Sequence, residues 1–113
     1  NIMAQDFKRY IERSIGATAV DIPNNTNFST NDTIIGINLA NISTLAVKAS
    51  VYIQNNSLIY YLVKDAPIPT GGALQIMDGG AKIVVQSGDR LNIISDTASS
   101  IDAWVSVVAA ISA

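Results

Sequence analysis

The chain has 113 residues, of which 49% are hydrophobic and only 14% charged, against roughly 25% charged in an average soluble domain. That length fits one domain with one core, and a net charge of −2 gives no electrostatic hold on nucleic acid. Cysteine and histidine are both absent, which removes disulfides, thiolate and imidazole metal ligands, and nucleophilic triads built on an imidazole base.

Residues 6–13 (DFKRYIER) open the patterned part of the chain. Phe7, Tyr10 and Ile11 fit one face of a short helix, but Tyr10 and Ile11 flanked by charges also fit an edge strand. Tyr and Ile favour the strand, and Gly16 ends the run. Lys8, Arg9 and Arg13 are diluted by Asp6 and Glu12 and read as a solvated, mixed-charge strand. Residues 17–22 (ATAVDI) form a second short strand stopped by Pro23.

Residues 24–32 (NNTNFSTND) are a polar loop with Phe28 as its apolar anchor. Asn24-Asn25-Thr26, Asn27-Phe28-Ser29, Asn31-Asp32-Thr33, Asn41-Ile42-Ser43 and Asn55-Asn56-Ser57 all match the glycosylation triplet. The opening residues 1–5 (NIMAQ) lack the basic and apolar regions of a secretion signal. The triplets are therefore expected to be by-products of Asn, Ser and Thr richness, in a product made in the cytoplasm.

In residues 33–41 (TIIGINLAN), Ile35, Ile37 and Leu39 are expected on one face, with Gly36 on the other where a neighbour can approach closely. Residues 45–54 (LAVKASVYIQ) alternate cleanly: Val47, Ala49, Val51 and Ile53 toward a core, Lys48, Ser50, Tyr52 and Gln54 toward water. Asn55-Asn56-Ser57 turns the chain into residues 58–64 (LIYYLVK), so these two strands make a hairpin. Tyr60 and Tyr61 are adjacent, so one is expected in the core and the other outside it.

Three further apolar runs follow, at 73–78 (ALQIMD), 81–86 (AKIVVQ) and 90–95 (RLNIIS). With the run at 58–64 and the Gly-containing breaks between them, they read as an antiparallel meander. Pro67 and Pro69 cannot donate to a ladder, which places the strand around them at an edge. In residues 101–111, Ile101, Ala103, Val105, Val107, Ala109 and Ile111 share one face. Asp102, Trp104, Ser106, Val108 and Ala110 share the other. Strands at this spacing, with no long amphipathic helix, imply an all-β chain: residues 1–113 as a single antiparallel β-sandwich, immunoglobulin-like or jelly-roll-like, of about eight or nine short strands.

Reactive groups are sparse. The acids are eight Asp and one Glu, scattered. An Asp65/Asp89 pair across the meander is the one arrangement resembling a glycosidase's two carboxylates, but Asp65, Asp78, Asp89 and Asp96 read as strand-end and turn residues. A Ca²⁺ site from Asp96, Asp102 and Ser99 lacks any Asp-x-Asp-x-Asp support. Gly71-Gly72 and Gly79-Gly80 read as hairpin glycines rather than a phosphate cradle. The turns resemble those of cupin barrels, whose His-rich metal set is missing, so that likeness is of fold alone. No catalytic, metal or cofactor-binding residue is expected, and no cofactor. No apolar run approaches the ~18 residues of a membrane helix, so no membrane partner is expected either. The residues left for recognition are Trp104, Val108, Tyr52 and Tyr61. They are candidates for an apolar interface between subunits, for stacking on a sugar, or for partly buried aromatics on their own sheet.

Residues 33–41, 60–78 (YYLVKDAPIPTGGALQIMD) and 80–108 (GAKIVVQSGDRLNIISDTASSIDAWVSVV) together resemble small virion structural proteins of tailed bacteriophages, of the marine cyanophage kind. The resemblance covers about two-thirds of the chain. It implies a non-enzymatic β-sandwich subunit repeated in a head, neck or tail, forming a homo-oligomer and contacting other virion proteins, with the virion as its location. The low charge fits, because assembled subunits bury much of their surface.

Overall fold

The computed structural model describes residues 5–22, 32–76 and 82–110. These form nine strands: β1 (Gln5–Ile15), β2 (Val20–Ile22), β3 (Asp32–Asn41), β4 (Val47–Asn55), β5 (Leu58–Ile68), β6 (Ala73–Gln75), β7 (Ile83–Val85), β8 (Arg90–Ser95) and β9 (Ile101–Ala110). One sheet, A, has the order β1-β9-β3-β6, with β7 also paired to β3; the other, B, has the order β2-β8-β4-β5. Every pairing is antiparallel. The fold is an all-β sandwich, and its winding is that of a jelly roll, with the chain switching sheets at most of its turns.

That winding replaces the expected meander. The run in β5 pairs with β4, those in β6 and β7 pair with β3, and that in β8 pairs with β2 and β4. The turns at Gly71-Gly72 and Ser87-Gly88 are therefore corners between sheets, not hairpins. Apolar strand content and glycine turns are the same for both arrangements. Asp78, Gly79, Gly80, Phe28, Ile111 and the first three glycosylation triplets lie outside the described residues, at least in part.

The core forms where the inward faces meet. Ile34, Ile37 and Leu39 of β3 and Ile101, Ala103, Val105 and Val107 of β9 line one side. Val47, Ala49 and Val51 of β4 with Leu91 and Ile93 of β8 line the other. Each large aliphatic side chain so buried contributes about 1.5–3 kcal/mol. The alternation expected of β9 holds throughout its described side chains. In β3 a register shift between Ile34 and Gly36 puts Ile34, not Ile35, into the core. A Cβ at Gly36 would meet nothing nearer than Ser106 Cβ at 3.9 Å, so no close approach occurs there.

β4 begins at Val47, and Ser50, expected to be wet, is buried. Its hydroxyl accepts the Asp65 N–H at 2.9 Å. Asp65 stands inside β5 at a bulge, with φ 52°, not at a strand end. The β4–β5 hairpin is as expected, closed by Asn56 and Ser57, both at positive φ (50° and 72°). This is the two-residue turn whose twist suits paired strands. β5 is an edge strand, and Pro67 and Pro69 lie at its outer end as their missing N–H requires.

A second set of ties fixes the corner where β1 meets the β8–β9 connection. Ser95 N–H donates to the Gly16 carbonyl and Ser100 N–H to the Ile15 carbonyl, each at 2.9 Å. The buried hydroxyls of Ser95 and Ser100 bond to one another, and Ser100 also donates to the Thr97 carbonyl. The hydroxyls satisfy each other and the backbone, so the corner is buried with little desolvation penalty.

Candidate interaction surface

Cross-strand register builds the outer face of sheet A around β9. Trp104 lies between Ile11 of β1 and Asn38 of β3, and Asn38 is followed by Gln75 of β6. Ser106 lies between Arg9 and Gly36, and Val108 between Phe7 and Thr33, with Val84 of β7 beyond Thr33. Trp104 is 50% exposed, Phe7 68% and Val84 67%. The Arg9 guanidinium stands 5.3 Å from the Trp104 ring centroid, a cation–π contact that holds the indole in place. Trp104 is a ridge between two shallow hollows. One, of about 410 Å³, is bounded by Ile11, Arg13 and Asp102; the other, of about 200 Å³, by Gly36, Asn38 and Gln75.

Tyr52 and Tyr61 occupy a different place. They face each other across β4 and β5 on the outer face of sheet B, edge to face, with ring centroids 5.5 Å apart. Lys64 Nζ lies 5.2 Å from the Tyr61 ring centroid. Burial raises the Tyr52 hydroxyl's pKa, and neighbouring Tyr61 and Asp21 raise it further. The row continues through Asn92 of β8 to Asp21 of β2, where Arg90 bridges to Asp21 at 2.8 Å. Asn92 is buried, and its amide nitrogen has no hydrogen-bond partner.

The four candidate residues thus split into two surfaces on opposite sheets: Trp104 with Val108, and Tyr52 with Tyr61. The expectation that one of Tyr60 and Tyr61 enters the core fails. Both are exposed, because the first residues of β5 run past the edge of the packed core. Phe7, Arg9 and Ile11 were the residues missed as parts of the Trp104 surface. Their signal was period-two spacing, which separates Ile11 from the inward-packed Tyr10.

The carboxylates are dispersed. Asp65 sits beside Ser50 and Asp89 beside Asn55, five positions apart along β4, roughly 17 Å at strand rise. They do not face each other. Asp96 accepts from Lys48 N–H and the Thr97 hydroxyl, while Asp102 accepts from Ser14 N–H. Among the described residues no three acidic side chains gather to hold a metal ion. Asn41 is buried with its amide bonded to backbone carbonyls, which keeps its triplet from a glycan; Asn55 donates to Asp89 at 2.6 Å.

No family model matches this chain, and no curated protein does. Among solved structures, it is similar to a chain from Bacillus endospore appendages, described as forming a novel family of disulfide-linked pili. The TM-score is 0.57 at 18% identity, over 97% of this chain and 89% of that one. At that identity the likeness is one of fold: the two-sheet sandwich is shared along nearly the whole length of both chains.

Proposed function

We propose that this protein is a structural subunit without catalytic activity, which associates with copies of itself in a larger particle. The observation that carries the reading is the Trp104 face: an uncovered ridge of indole on the central strand of sheet A beside Ile11, with Phe7 and Val108 on the same face beyond Arg9 and Ser106. Exposed large apolar side chains gathered on one sheet face of a chain with this little charge mark an interaction site. The sequence resemblance supports a tailed-phage virion as the setting, with other virion proteins as neighbours. The fold shared with a pilus chain also favours a structural role, although these 113 residues hold no cysteine for a disulfide link.

The test is solution mass by light scattering over a concentration series, for the parent and for Trp104→Asp. The parent is expected to form a defined assembly. The variant should give a smaller species with an unchanged circular dichroism spectrum. An assembly indifferent to Trp104→Asp would remove this face from the reading.

A second reading, binding of a saccharide, is favoured by one observation. Exposed Tyr61 packs edge to face on Tyr52 with Lys64 beside its ring, the mixture of aromatic and hydrogen-bonding groups that a sugar engages. Calorimetric titration with a glycan panel tests it, since Trp104 fluorescence reports on the opposite sheet. Silence across the panel would dispose of it.

A further inference from the structure

We propose that two copies of this chain join through the free edge of β5, residues 58–62 pairing antiparallel about a two-fold axis at Tyr60. The inference deepens the self-association reading and rests on it, but it concerns a different surface from the Trp104 face.

Among the described residues β5 pairs only with β4, so its other side offers unpaired N–H and C=O groups. Such edges are ordinarily blunted by charge, proline or a bulge. The second half of β5 has all three: Lys64, the bulge at Asp65, and Pro67. Residues 58–61 have none; a further bulge at Leu62, opposite the step from Val51 to Tyr52, bounds them. Leu58 is 60% exposed and Tyr60 56%, with Ile59 and Tyr61 exposed between and beside them. Protection that stops partway along a strand marks where a partner strand is admitted.

The other edges do not match it. β1 carries Lys8, Arg9, Glu12 and Arg13 and bulges before Ile15. β2, β6 and β7 are three residues each. The complementary flat, apolar edge is the same one on a second copy. No charged residue lies between Lys48 and Lys64. With Tyr60 opposite Tyr60, Ile59 meets Tyr61 and Leu58 meets Leu62, each pair twice. Lys64 then falls opposite Asn56 and Asp65 opposite Asn55, so no like charges face each other. Aromatic and aliphatic cross-strand pairs of this kind stabilise antiparallel ladders, and the two-fold turns two four-stranded sheets into one of eight strands.

The experiment is sedimentation velocity over a concentration series for the parent, Tyr60→Lys, Tyr60→Glu and an equal mixture of the two variants. The parent should dimerise. Each variant alone should lose affinity at least tenfold through like charges across the axis, and the mixture should regain dimer. Trp104→Asp should leave this dimer intact. In the parent, amide exchange over residues 58–62 should slow as concentration rises. A Tyr60→Lys protein that associates like the parent, or a mixture no better than either variant alone, overturns the β5 contact while leaving assembly through Trp104 standing. A parent that stays monomeric at every concentration, with no change in exchange, overturns both.

Discussion

Asn41 shows how much of this fold hangs on single polar side chains. Its amide nitrogen donates to the carbonyls of Leu45, Ile68 and Pro69 at 2.8, 3.0 and 3.2 Å, and its oxygen accepts from the N–H and hydroxyl of Ser43. One residue thereby ties the end of β3 to the following loop and to the corner after β5. Asn41→Ala leaves buried carbonyls without partners, at about 1–3 kcal/mol each. We expect a loss of about 3 kcal/mol, read as a lower urea midpoint at an unchanged slope. Asp96 gives a pH dependence. Hydrogen bonds from Lys48 N–H, then from the Thr97 hydroxyl, hold its carboxyl below the usual range. The folded value is the lower one, so its contribution is present above the unfolded value, near pH 4, and is lost as pH falls through the folded value. The thermal midpoint should drop over that acidic window in the parent and drop less in Asp96→Asn. Neither role was visible in the sequence, where Asn41 is one more polar residue near a turn and Asp96 an ordinary turn acid.

At the level of elements, legibility followed period. β9 and the inward residues of β4 show strict alternation, and the structure places them accordingly. Where a bulge interrupts the alternation the reading fails. Ile34 and Ile35 are chemically identical neighbours, and only the register shift before Gly36 decides which is buried. The projection of β5 past the core, beyond the bulge at Leu62, likewise left both Tyr60 and Tyr61 in solvent. The hairpin between β4 and β5 was legible from its turn residues, yet it is not optimal. Ser57 sits at φ 72°, a conformation that costs a residue with a Cβ roughly 1 kcal/mol and glycine little. Ser57→Gly is therefore expected to raise stability by about 0.5–1 kcal/mol, measured by chemical denaturation, with the hairpin register unchanged.

For the whole molecule, the sequence conveyed the all-β class and one core but not which sheet each strand joins. Short apolar strands separated by glycine turns satisfy a meander and a jelly roll equally, and long-range pairing chooses between them. The candidate surface was half legible. Trp104 and Val108 could be placed on one face of one strand, but their neighbours Phe7 and Ile11 come from the opposite end of the chain. A topology dominated by such distant pairings folds on the scale of milliseconds to seconds. We expect stopped-flow refolding in that range, and a chain ending at Ser100 to lack cooperative unfolding.

The position of β9 has a consequence for timing. It is the last strand in chain order, yet it lies between β1 and β3. During synthesis those two strands wait without their shared neighbour, and Trp104, which the Ile11 and Asn38 strands flank, has no face to belong to. The core and the Trp104 surface come into being in the same event, when β9 inserts. A chain in which β9 has not yet inserted therefore cannot offer that surface to a finished subunit, and recruitment through it is open only to sandwiches that have already closed.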